Sequence, residues 1–130
     1  MKKVVIVLMC LVLLTGCSFS AKKLKDKSTN QDTKEYISDS EINEIIKNND
    51  YIIVDVRTPL EYEEEHIVDA INIPYDVITN SSLDKNKVVL LYCKSGKRAS
   101  IAYQTLHDLG YQVYNMGGIA DINLPKDTKK

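Results

Sequence analysis

The run Val88-Val89-Leu90-Leu91-Tyr92 carries no charge and no polar group beyond the Tyr92 hydroxyl. A strand with one wet face alternates apolar and polar residues, whereas a strand buried on both faces reads as a continuous apolar run. Such strands belong to parallel sheets covered by helices. The residues after the run fit that setting. Cys93 ends it, Lys94-Ser95-Gly96-Lys97-Arg98 forms a small basic loop, and Ala99 to Leu109 reads as a helix with Ile101, Ala102, Thr105 and Leu109 on one face. Gly110 caps the end of that helix.

The rest of the chain alternates in the same way. Tyr51 to Val56 is a second apolar, β-branched run, and Tyr111 to Met116 is a third, ended by Gly117-Gly118. Ala70 to Pro74 reads as a short strand, and Tyr75 to Leu83 as irregular chain or a single helical turn. Ser38-Asp39-Ser40-Glu41 is a capping box ahead of Ile42, Ile45 and Ile46, and Asn48-Asn49 stops that helix. Thr58-Pro59-Leu60-Glu61 is a second box, with proline at the first helical position and a short helix through about Glu65. Repeated alternation of strand and helix implies an α/β fold with a mostly parallel central sheet flanked by helices.

Ligand sites in such folds lie beyond the carboxyl ends of the strands, where Cys93 sits. There the thiol meets the positive end of a helix, and loop amides can point at one anionic atom. That setting makes the reactive thiolate available. Asp55 is polar at the end of an apolar strand and needs partners, so it is expected to bond loop amides as structural support. Arg57 and Glu61 are spaced to pair across the turn. His66 and His107 lie far apart with no second cysteine near them, so no metal-ligand spacing exists, and no cofactor is implied.

The N-terminus reads as a targeting segment. Met1-Lys2-Lys3 is charged, and Val4 to Leu14 is an apolar stretch of 11 residues. That is too short to span a bilayer, where about 20 are needed, and it matches a cleaved secretory signal. Leu14-Thr15-Gly16-Cys17 resembles the lipobox of bacterial lipoproteins. The resemblance implies cleavage after residue 16, diacylation of Cys17, and an extracytoplasmic protein anchored to a bacterial membrane, since two acyl chains hold stably. Cys10 would leave with the signal and Cys17 would be consumed by the anchor, which leaves Cys93 as the one free thiol of the mature chain. Residues 17–33 are polar and read as a lipidated tether, residues 34–124 as one domain, and residues 125–130 as a polar tail. Loss of Lys2 and Lys3 leaves 15 basic against 18 acidic residues, which is no nucleic-acid signature.

Several stretches together resemble the rhodanese domain, a sulfurtransferase module. They are Ile53-Val54-Asp55-Val56-Arg57, Glu61-Tyr62, His66-Ile67, Ala70-Ile71-Asn72-Ile73-Pro74, the loop from Cys93 to Ser100, and Gly117-Gly118-Ile119. The chain has Glu65 and Asp69 where the family usually has glycine, and it lacks the family's tryptophan after the double glycine. These departures lie outside the nucleophile loop. The resemblance implies a rhodanese-like fold and a thiosulfate sulfurtransferase-like activity. Cys93 would take sulfane sulfur from a small-molecule donor such as thiosulfate, hold it as a persulfide, and pass it to a thiol or other thiophilic acceptor. Backbone N–H groups from Lys94 through Ser95, Gly96, Lys97 and Arg98 to Ala99 would cradle the anion. Gly96 permits a conformation that a β-carbon would penalise. Ala99 and Ser100 would open the helix, and Lys94, Lys97 and Arg98 would make the entrance positive.

Two other readings use the same loop. Phosphatases and arsenate reductases of this fold carry five residues between cysteine and arginine, enough to wrap a tetrahedral oxyanion. Four separate Cys93 from Arg98, a smaller ring that suits sulfur. A module that carries sulfur or binds a protein without turnover is the remaining alternative.

Overall fold

The computed structural model describes residues 36–130. The expected signal segment at 1–16, Cys17 and the tether at 17–33 lie outside the described residues. Both capping boxes form. In α1 (Asp39–Asn48) the Ser38 side chain accepts from the Glu41 amide, and the Glu41 carboxylate accepts from the Ser38 amide. In α2 (Pro59–Glu64) Thr58 and Glu61 reciprocate in the same way, with proline in the first turn. Each box satisfies amides that a helix start leaves without partners.

The apolar runs become a four-stranded parallel sheet. Its strands are β1 (Tyr51–Asp55), β3 (Ile71–Asn72), β4 (Val88–Cys93) and β5 (Val113–Gly118), in the spatial order β3-β1-β4-β5. All six residues of β4 are buried, as its unbroken apolar run requires. Alternate side chains of β4 feed two cores. Val88, Leu90 and Tyr92 pack with Ile42 of α1, Ile53 and Met116. Val89, Leu91 and Cys93 pack with Val54, Val113 and the third helix, α3 (Lys97–Asp108). Helices therefore cover both faces, and Cys93 points to the α3 side. A single 3-10 turn at Ile78–Asn80 occupies the irregular stretch and closes over α3.

The face of α3 differs from the expected one. Ala99, Ala102 and Leu106 are buried, whereas Ile101 and Leu109 are 54% and 45% exposed. Two alanines let the helix axis approach the sheet closely, and Ile101 is displaced to solvent. The helix also opens at Lys97 rather than Ala99, so only Lys94, Ser95 and Gly96 separate it from β4.

The polar tail is corrected. Residues Lys126–Thr128 form β6, which pairs antiparallel with β2 (Glu65–Ile67) in a separate two-stranded sheet. The Val68 amide donates to the Pro125 carbonyl and the Lys129 amide to the Glu64 carbonyl, extending the pairing at both ends. The domain thus includes residues beyond 124. Asp69 has φ 66, a left-handed turn position that aspartate tolerates better than most residues, which accounts for one missing family glycine. Glu65 is extended at φ −159 and needs no glycine.

Candidate active site

The parallel strands deliver their carboxyl ends to one edge of the sheet, and the sequence-expected groups collect there. Cys93 ends β4 with no exposed surface and has no disulfide partner among the described residues. The Gly96 amide donates to Cys93 Sγ at 2.9 Å. Gly96 can do so because it stands at the N-terminus of α3 with φ 91, a left-handed backbone that costs glycine little. Of the amides expected from Lys94 to Ala99 to cradle the anion, the Gly96 amide is the one bonded to the sulfur among the described residues, with the positive end of α3 behind it.

Asp55 and Arg57 lie on the other face of the sheet from Cys93. Asp55 Oδ1 accepts from the Arg57 amide at 2.9 Å and from Nε at 3.0 Å, and Oδ2 accepts from the guanidinium at 2.7 Å. One loop amide is therefore bonded as expected, but the main partner is a guanidinium. The Arg57 guanidinium also donates to the Glu65 carbonyl and sits 5.7 Å from the Tyr92 ring centroid. Burial pulls the Arg57 guanidinium toward neutrality, and the Asp55 carboxylate, helped by its other neighbours including Glu61, more than offsets that pull. Tyr92, next to Cys93, accepts a bond on its hydroxyl from the Ile67 amide, and burial pushes its phenol above the ordinary range. The pair supports the sheet end and does not touch the sulfur.

The expected Arg57–Glu61 pair does not form. Arg57 precedes the helix and turns inward to Asp55, which frees Glu61 for Arg98, 37 residues away. Arg98 binds Glu61 through both carboxylate oxygens at 2.8 and 2.9 Å. The Arg98 hydrogen bond, opposed by burial and helped by Thr58, holds the Glu61 carboxyl down at about 2. The Glu61 carboxylate in turn keeps Arg98 charged.

The cations expected at the entrance lie among carboxylates. A cleft of about 330 Å³ beside the loop is lined by Lys94 and Arg57 but also by Glu61, Glu64 and Glu65. Arg98 and Arg57 are each matched by a carboxylate, while Lys94 and Lys97 are exposed. The Ser95 carbonyl, rather than its hydroxyl, enters the local bonding, accepting from Tyr36 at 3.4 Å. His66 stacks on Tyr62 with ring centroids 4.0 Å apart and bonds the Tyr62 carbonyl through Nδ1, a structural role.

A pH dependence arises from the Glu61–Arg98 pair. The Glu61 pKa falls from an ordinary 4.5 to about 2 on folding, so its contribution is complete above the unfolded value and lost as pH drops toward 2. With the two side chains 28% and 27% exposed, screening reduces that contribution to about 1–2 kcal/mol. Urea midpoints measured across this window should fall more steeply for the parent chain than for Glu61→Gln. Parallel slopes would rule the linkage out.

Sequence reasoning passed over Tyr36 and Asn115. Asn115 is buried in β5 and bonds Gly96, Ser100 and Gly117. Its signal was available, because it is a polar residue in an apolar run like Asp55.

The comparisons agree with this geometry. The family model of the rhodanese-like domain matches residues 38–124. Over 78 residues the chain is 41% identical to the thiosulfate sulfurtransferase PspE of Escherichia coli (strain K12), covering 56% of this chain and 75% of that protein. It is 38% identical over 85 residues to the thiosulfate sulfurtransferase GlpE of Coxiella burnetii, covering 63% and 79%. A solved structure described as rhodanese with anions from E. coli superposes with a TM-score of 0.55 at 38% identity, over 61% of this chain and 99% of that one. With a parallel sheet that delivers a buried cysteine to an amide at a helix start, and a family match across most of the described residues, this chain belongs to the rhodanese-like domain family.

Proposed function

We propose that the chain is a membrane-anchored sulfurtransferase that carries sulfane sulfur on Cys93. In the first step the Cys93 thiolate attacks the outer sulfur of a donor such as thiosulfate. A new S–S bond forms at Cys93, the donor's S–S bond breaks, and sulfite leaves with the electron pair. In the second step an acceptor thiolate attacks the terminal sulfur of the persulfide, and Cys93 leaves as thiolate. The two steps are balanced without an outside oxidant or reductant.

The observation that carries this reading is the Gly96 N–H aimed at Cys93 Sγ at the start of α3. A donor held there stabilises a sulfur anion, the species present before the first step and after each later one. The names of the relatives support thiosulfate as a donor. A buried sulfur suits a small donor better than a bulky one. The N-terminal sequence supports anchoring through Cys17 outside the cytoplasm.

Mass spectrometry of the protein after incubation with thiosulfate should show one added sulfur on the peptide bearing Cys93. Cyanide should then release thiocyanate, and a Cys93→Ser chain should do neither. If several sulfane donors leave Cys93 unmodified, the transfer reading is wrong and a binding role replaces it. Cys17→Ala should release the protein from membranes; retention of that variant would refute the anchor.

A further inference from the structure

The Gly96 amide is useful only while it stays on the sulfur, and three observations bear on what keeps it there. The Tyr36 ring packs directly on Gly96: a β-carbon added at Gly96 would lie 2.6 Å from Tyr36 Cε1. The same ring abuts Gly117, which has φ 92, where an added β-carbon would lie 3.3 Å from Tyr36 Cγ. Asn115 reaches the other polar group of the same residue, its Nδ2 donating to the Gly96 carbonyl at 3.3 Å and to Ser100 Oγ at 3.0 Å. Ser100 Oγ itself donates to the Gly96 carbonyl at 3.0 Å, and Asn115 Oδ1 accepts from the Gly117 amide at 2.9 Å.

These contacts form one unit. The Ile37 amide donates to the Asn115 carbonyl at 2.9 Å, so the residue after Tyr36 is pinned to the strand position that bonds Gly96. Neither Tyr36 nor Asn115 hydrogen-bonds the Cys93 sulfur. Tyr36 also lies outside residues 38–124, the part matched by the family.

We propose that Tyr36 and Asn115 are positioning residues for the Cys93 chemistry: the Tyr36 ring against the Gly96 α-carbon and the Asn115 amide on the Gly96 carbonyl together hold the Gly96 N–H on the sulfur. The left-handed conformation of Gly96 is one that an unrestrained glycine leaves as readily as it enters. The Gly96 N–H shares its peptide with the Ser95 carbonyl, which accepts from the Tyr36 hydroxyl at 3.4 Å, so Tyr36 and Asn115 hold the peptide before Gly96, its α-carbon and its carbonyl together. The proposal rests on Cys93 being the reacting group, but its test does not require sulfur transfer.

The test is alkylation of the full chain in detergent with iodoacetamide, followed on the Cys93 peptide by mass spectrometry so that other cysteines do not interfere. The quantity read is the ratio of the rate at about pH 7 to that at about pH 10, because a change in access alters both rates alike. A hydrogen bond to a charged group is strong enough that its partial loss in Tyr36→Ala should lower this ratio about five- to tenfold. Tyr36→Phe keeps the ring against Gly96 and loses only the long 3.4 Å hydroxyl bond to the Ser95 carbonyl, so it should stay within about twofold of the parent. Asn115→Ala should lower the ratio as Tyr36→Ala does; since that buried site bears on folding, thermal midpoints are recorded alongside, and the Tyr36 pair decides the matter alone. A ratio unchanged in Tyr36→Ala, or lowered as much in Tyr36→Phe, would overturn the proposal. Failure of sulfur loading with a changed alkylation ratio would sink the transfer reading and leave the positioning role standing.

Discussion

Asp55→Ala is expected to lower the unfolding free energy by about 3–5 kcal/mol, out of the roughly 5–15 kcal/mol that holds a domain together. The Asp55 side chain is fully buried and that of Arg57 is 7% exposed, so water replaces the lost carboxylate poorly. Alanine would leave the guanidinium with the Glu65 carbonyl as its remaining hydrogen-bond partner and only the more distant Glu61 as counter-charge. Asp55→Asn keeps an acceptor for the Arg57 amide but not the charge, so most of the loss should persist. Asp55→Leu combined with Arg57→Met removes both charges and should recover much of it, since a buried ion pair is costly to break singly and cheap to replace as a pair. The damage should spread toward the site, because Arg57 lies over Tyr92 and the Asn72 side chain bonds the main-chain carbonyls of both Asp55 and Arg57. Urea denaturation measures the effect, and a loss below about 1 kcal/mol for Asp55→Ala would show that the pair does not hold the sheet end.

Asp55 was legible in the sequence because a charged residue in an apolar run must be partnered, and Cys93 because a strand, a short loop and a helix start bracket it. The capping boxes at Ser38 and Thr58 were legible for a similar reason: a local need, an unpaired amide, is met by a residue three positions away. Long-range choices left weaker traces. Arg57 and Glu61 have the spacing of a helical pair, yet Arg57 lies before the helix, and each charge finds a better partner in the fold. Ile101 and Leu109 look like core residues, but the face of α3 is chosen by how closely alanine lets it approach β4. Strand β6 is Lys-Asp-Thr, exposed along most of its length, and it pairs with β2 through its backbone rather than by apolar side chains. No pattern of hydrophobicity marks such a strand.

Gly118→Ala should damage the chemistry far more than the stability. Gly118 stands opposite Cys93 in the β4–β5 pairing, where the register shifts between Leu91 and Cys93. Its backbone is extended, at φ −92 and ψ 141, so alanine meets no conformational barrier and the cost is purely steric. The new methyl group would run into the Lys94 carbonyl oxygen and lie 3.3 Å from Ser95 Cα. Both are backbone atoms of a loop only three residues long, so no side chain can swing aside. The loop must shift as a whole, and Gly96 cannot follow freely while Tyr36 and Asn115 hold it. Overpacking of this kind costs about 1–3 kcal/mol. A displacement approaching 1 Å of a group that must meet the reacting atom costs about a hundredfold in rate, so sulfur loading of Cys93 should slow by that order. Gly110→Ala is the matched control. An added β-carbon there meets nothing within 4 Å, but Gly110 has φ 88, so alanine costs about 1–2 kcal/mol of conformational energy far from the loop. The two variants should lose similar stability, and only Gly118→Ala should lose sulfur loading. Equal loading rates in both would mean that the contact between Gly118 and Lys94 does not set the position of the Cys93 loop.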